Sequence, residues 1–151
     1  MTQTNTDKAS SLFNIQIGDN LTWNVKPLLH EVKHALKNLI DHGETSMIDL
    51  RSIPLAPGEE SKILNTLGKG EVKCLLDALG PSEIIETQYA GVWLVTHFND
   101  ENEIISRFIE ITFMPEILRS QSDDVTEAYK RLAETLHDEN EITEPVAEKL
   151  S

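Results

Sequence analysis

The sequence predicts an α+β domain: an antiparallel sheet of about four strands in a meander, with one face covered by about three helices. Three observations lead there. The hydrophobic period is helical early in the chain, shifts to about two from Gly70, and becomes helical again near the end. The alternating segments are separated by only a few turn-forming residues, and connections that short join antiparallel neighbours. The length of 151 residues is that of one ordinary domain, enough to bury a single substantial core.

The elements follow in order. Residues 1–12 are polar, rich in Ser and Thr and without periodicity, so they read as a flexible arm before a single domain over 13–136. A helix is predicted over Lys26–His42. Leu28, Leu29, Val32, Ala35, Leu36, Leu39 and Ile40 recur at helical spacing, Pro27 lies in the first turn, and Gly43 provides the stop. Residues 46–50 read as a short strand, followed by an extended stretch held by Pro54 and Pro57. Pro57 suits the first position of a second helix ending near Gly68, with Ile63, Leu64 and Leu67 on one face.

Four strands are then predicted at 71–79, 83–89, 91–98 and 103–113, separated by turns at Gly80-Pro81, Ala90-Gly91 and 99–102. Alternation puts Val72, Cys74, Leu76 and Ala78 on one inward face of the first, and Ile105, Ile109, Ile111 and Phe113 on that of the last. Pro115 stops the sheet. A last helix spans 123–136, with Ser122 as its cap, Asp123 and Asp124 at its positive end, and Val125, Ala128, Tyr129, Leu132 and Leu136 in one stripe. Residues 137–151 form an acidic, frayed tail.

Charge narrows the function. The formal net charge is −13 and no Lys/Arg cluster exists, so binding to nucleic acid or to an anionic membrane surface is disfavoured. Insertion into a membrane is not expected, because no apolar run approaches the roughly 20 residues a bilayer requires. The first residues carry neither the basic nor the apolar region of a secretory signal, which points to the cytoplasm. The lone Cys74 makes no internal disulfide, and a cluster held by about four thiolates is out of reach, so no cofactor is expected.

One short motif stands out. His30-Glu31-Val32-Lys33-His34 fits the H-E-x-x-H pattern, in which two histidines one turn apart bind zinc and the glutamate activates water. Chance alone places it in roughly 2% of shuffled chains of this composition. Helical phase weighs against a metal-dependent hydrolase built on His30 and His34. With Leu28 at zero, the apolar stripe centres near 60°, whereas the two histidines fall near 200° and 240°, on the solvent side. Cys74 and His97 are the residue types of a thiolate and its base, but Cys74 shares its face with Val72 and Leu76 and reads as an inert core thiol.

Five blocks in order carry a resemblance: Ile48–Leu55, Leu67-Gly-Lys-Gly-Glu-Val72, Glu83-Ile-Ile-Glu-Thr87, Gly91-Val-Trp-Leu-Val95 and Phe108–Leu118. From Met47 to about Asp124 the chain resembles the C-terminal domain of the HupH (HyaF, HoxQ) family of hydrogenase expression/formation proteins. The resemblance implies a non-enzymatic role in maturation of nickel–iron hydrogenase. It implies a chaperone that binds the iron–sulfur small subunit before export, or another maturation protein. A general protein-binding adaptor is the remaining alternative. The residues of these blocks that suit partner binding are Arg51, Pro54, Glu86, Trp93, Glu110, Pro115 and Glu116. Arg51 either meets a client or pairs with Glu86 or Glu110. Trp93, on the face opposite Val92 and Leu94, anchors an interface if exposed and belongs to the core if buried.

Overall fold

The structure, a computed structural model, describes residues 24–136; the predicted arm over 1–12 and tail over 137–151 lie outside them. The chain divides into two compact units between Pro115 and Glu116.

In the first unit, helix α1 (Val25–His42) forms as its periodicity predicts and buries Val25, Leu28, Val32, Ala35 and Leu39. Gly43, at φ 67°, ends it by donating its N–H to the Leu39 carbonyl at 3.0 Å, a left-handed stop that glycine takes without a side-chain penalty. Strand β1 (Ser46–Asp49) and helix α2 (Glu59–Leu67) follow. Helix α2 starts at Glu59 rather than at Pro57. Gly58, at φ 88°, occupies the cap, so Pro57 lies in the preceding turn and the helix is shorter than predicted.

Strands β2 (Lys73–Ala78), β3 (Gly80–Glu86), β4 (Val92–Phe98) and β5 (Ile104–Ile111) form the meander. Gly80 and Pro81, predicted as a turn, instead open β3. The sheet is antiparallel and holds five strands rather than four, in the order β1-β5-β4-β3-β2. The extra member is β1, which pairs with β5 through Ile48↔Ile109 and Met47↔Glu110. That pairing joins segments about sixty residues apart, which local periodicity does not register.

Opposite residues in an antiparallel ladder share a face. Ile48, Val92, Leu94, Ile109 and Ile111 lie on the helix-covered side and pack with α1, Ile63 and Leu67 into the main core. Helix α2 is tied to this side by Arg107. Its Nη1 reaches Glu60 Oε1 at 2.8 Å, and its Nε donates to Thr96 Oγ1 at 3.1 Å. Ile84, Trp93 and Val95, on the other face, are also buried.

The inward faces are only partly as predicted. Ile109 and Ile111 are buried, but Ile105 and Phe113 are exposed: Ile105 is the residue skipped in the register at the bulge opposite His97/Phe98, and Phe113 lies beyond the end of β5. In the edge strand β2, Cys74 and Leu76 are half-buried while Ala78 is exposed, as is Val72 just before the strand.

The loop from α2 to β2 depends on two glycines for different reasons. Gly68 has φ 64° and ψ −161°, a region essentially restricted to glycine. A Cβ on Gly70 would lie 2.6 Å from the Thr87 carbonyl oxygen. Gln88 closes the loop by donating its Nε2 hydrogen to the Thr66 carbonyl at 2.7 Å.

In the second unit, a 3-10 turn (Glu116–Leu118) precedes helix α3 (Ser122–Thr135). Ser122 is the first helical residue rather than the cap; the extended Gln121 precedes it and makes no side-chain cap bond. The predicted stripe is present, with Val125, Tyr129, Leu132 and Leu136 exposed along it.

Candidate protein-binding surface

At one end of the sheet, α1, the end of α2 and the β3–β4 turn enclose an open groove of about 250 Å³. Its walls are Leu29, Val32 and Leu36 of α1, Leu67 of α2, and the ring of Tyr89, with Lys33 and Thr66 as polar members. Tyr89 is held by local chemistry. Thr87 Oγ1 accepts the Tyr89 N–H and lies 3.2 Å from its carbonyl, and the Val92 N–H donates to that carbonyl at 3.0 Å. Tyr89 therefore sits on a hydrogen-bonded turn and remains 47% exposed.

The apolar surface continues beyond the groove. Ile40, one turn after Leu36, is 73% exposed. The Thr112 N–H donates to the Gly91 carbonyl at 2.9 Å, which puts Phe113 and Met114, both exposed, at this same end of the sheet. Scattered apolar residues are normal on a protein surface. A groove with an exposed aromatic wall and an apolar margin is a recurrent form of protein-binding site.

The residues singled out from the sequence fall into separate groups. Glu86, Trp93 and Glu110 form one row across β3, β4 and β5, on the face opposite the one packed against α1 and α2, with Met47 of β1 next in line. Trp93 is only 7% exposed, and its indole N–H donates to the Thr112 carbonyl at 3.1 Å. It is a packing residue, not a surface anchor.

Arg51 pairs with neither Glu86 nor Glu110. Its Nη1 donates to the Ile104 carbonyl at 2.6 Å and its backbone N–H to Asp49 Oδ1 at 2.9 Å, so it fastens the chain after β1 to the start of β5. Pro54 is exposed, and its carbonyl accepts from Asn24 Nδ2 at 3.3 Å. Pro115 is fully buried. Glu116 is exposed in the 3-10 turn and lies 3.7 Å from Arg119.

His30 and His34 are exposed on α1, as helical phase predicts. Among the described residues no group of three or more His, Cys, Asp or Glu is arranged to hold a metal. His97 shares a 2.7 Å hydrogen bond with Ser82 Oγ and meets the Phe108 ring edge-on, on the same side as half-buried Cys74. No helix among the described residues is long and apolar enough to cross a membrane.

Sequence reasoning missed the groove and one buried carboxylate. Tyr89 sits in a turn, where hydrophobic periodicity has nothing to say, and the groove exists only once α1 lies against that turn. Glu59 is almost fully buried, and its carboxylate accepts from the Ala56 N–H at 2.8 Å and from Asn24 Nδ2 at 3.1 Å and N–H at 3.2 Å. Those bonds, the one from Ala56 foremost, hold its pKa below the ordinary 4.5.

Fold and surface together define a small α+β domain, an open antiparallel sheet with an apolar groove at one end. The conserved C-terminal region of the HupH hydrogenase expression protein matches residues 22–138, and the chain belongs to that family. A solved structure of the hydrogenase expression protein HupH from Thiobacillus denitrificans superposes with a TM-score of 0.73 at 38% identity, covering 76% of this chain and 96% of that one. The hydrogenase expression/formation protein HoxQ of Azotobacter vinelandii is 28% identical over 116 residues, 74% of this chain and 40% of the relative. HupH of Rhodobacter capsulatus is 29% identical over 94 residues, 62% of this chain and 34% of the relative. The chain thus spans about two-fifths of the length of the curated relatives it matches.

Proposed function

We propose that this protein is an accessory factor of hydrogenase maturation that acts by binding an immature hydrogenase polypeptide, with the iron–sulfur small subunit as its client. The observation that carries the reading is the groove beside Tyr89, an apolar surface held open by rigid elements in a chain of this family. The relatives are named for hydrogenase expression and formation, which supplies the class of client. A transiently held chain segment with apolar side chains would seat against Leu29, Leu36 and Tyr89, and the chain's net charge of −13 keeps such an exposed surface soluble.

The test is capture of the hydrogenase small subunit from cells assembling hydrogenase, using the protein and its Tyr89→Ser and Ile40→Ser variants. Both positions are exposed, so each change should leave folding stability within about 0.5 kcal/mol. Recovery of the small subunit by the unaltered protein, reduced several-fold by Tyr89→Ser, supports the reading. No recovery from such cells overturns it.

A further inference from the structure

Strand β2 is an outer strand of the sheet, six residues without proline or bulge, and its far edge has no partner among the described residues. The other edge, β1, is only four residues long, one way in which natural sheets blunt an edge. Within β2 Leu75 is 73% exposed, and Leu79 just after it is fully so. Long edges carrying such residues are a pairing hazard unless something covers them.

The backbone direction of β2 follows from its neighbours. The Glu86 N–H donates to the Val72 carbonyl at 2.9 Å, so even-numbered residues direct their backbone groups toward β3. The Thr87 N–H bonds across to the Val92 carbonyl, which sends the odd-numbered groups of β3 toward β4 and its even-numbered ones toward β2, in agreement. The N–H and C=O groups of Lys73, Leu75 and Asp77 therefore point outward from the sheet.

The geometry points to a second copy of this chain as the occupant of that edge, paired antiparallel about a two-fold axis at Leu75. In that register Leu75 faces Leu75 of the other copy, Lys73 faces Asp77, and Cys74 faces Leu76. All three odd-numbered residues are outward-bonding, so the pairing closes a ladder of backbone hydrogen bonds and makes a continuous ten-stranded sheet. Opposite charges meet in both symmetric positions, and apolar residues meet at the centre. Lys73 lies 3.2 Å from Glu83 within its own chain and is more than half exposed there, so its ammonium can serve both carboxylates. The isologous contact also leaves only the short β1 edges at the ends of the joined sheet, which ends the hazard instead of propagating it.

A six-residue ladder is small beside the roughly 800 Å² per partner of a standard interface, so association is weak and needs a concentration series. Sedimentation at physiological salt, where repulsion between two acidic chains is screened over about 8 Å, should show a mass rising from one chain to two. Asp77→Lys places Lys opposite Lys and should hold the protein monomeric. Lys73→Asp combined with Asp77→Lys restores opposite charges and should restore the dimer. In a Cys74→Ala background, Leu75→Cys should cross-link to itself under a mild oxidant, because facing residues of a hydrogen-bonded pair lie about 5.5 Å apart at Cα, within disulfide reach; Leu79→Cys should not. A monomer at every concentration, a dimer indifferent to Asp77→Lys, or equal cross-linking at 75 and 79 overturns the proposal. Circular dichroism of each variant separates loss of pairing from loss of fold.

Discussion

Glu59 and Asn24 stand 35 residues apart in sequence and are joined by two hydrogen bonds: the carboxylate of α2 accepts both the backbone and the side-chain N–H of the residue that caps α1. The same carboxylate receives the Ala56 N–H, so one buried side chain fixes the starts of two helices and the turn between β1 and α2.

Its titration has a defined sign. The folded pKa lies below the ordinary 4.5, so the carboxylate contributes stability that is complete above that value and is lost as pH falls toward the folded pKa. Glu59→Gln keeps the shape and removes the charge. Urea midpoints of the two proteins should differ clearly at pH 7 and converge as the pH falls through the lowered folded pKa, where the unaltered carboxylate takes up its proton. A gap that stays constant with pH would assign the effect to shape alone.

Trp93 provides a separation of packing from binding. Trp93→Phe removes the bond to the Thr112 carbonyl and leaves most of the ring volume, a loss of about 1–3 kcal/mol in chemical denaturation. Trp93→Ala empties the site as well and should cost about 3–5 kcal/mol. Because the ring is buried, client capture by Trp93→Phe, assayed where the variant is folded, should match that of the unaltered protein.

How much of this was legible in the sequence depended on the range of the interactions. Helix α1 could be read because its burial is one-sided over 18 residues, and the meander because its connections are short. The place of β1 could not, because its partner β5 lies far along the chain. Arg51 illustrates the same limit: carboxylates at 86 and 110 are its natural partners by charge, yet the guanidinium reaches a backbone carbonyl at position 104, and carbonyls carry no mark in a sequence. The groove depends on Tyr89, whose turn is set by Thr87 rather than by any periodic pattern.

The H-E-x-x-H pattern has a direct measurement. His30 and His34 project from the solvent side of α1, while a catalytic zinc requires a third protein ligand and a partly dry cavity. Protein purified without a histidine tag should carry zinc well below one equivalent, and His30→Ala should leave that content unchanged. Stoichiometric zinc that disappears in His30→Ala would restore the hydrolase reading.

The block Leu67-Gly-Lys-Gly-Glu-Val72 belongs to the family resemblance, and the structure divides its residues by physical role. Gly68 supplies a backbone conformation, Gly70 supplies space, and Lys69 between them is exposed. Gly68→Ala places a side chain at φ 64° and should cost about 1–3 kcal/mol. Gly70→Ala should cost a similar amount, about 1–3 kcal/mol, through the approach to the Thr87 carbonyl. That oxygen is backbone, so the contact is relieved only by moving the chain just after β3 away from the loop. Lys69→Ala touches neither constraint and should fall within about 0.5 kcal/mol of the parent. Urea unfolding of the three variants reads the difference directly. If Lys69→Ala is as costly as the glycine changes, the block's chemistry lies in its charge and not in its backbone.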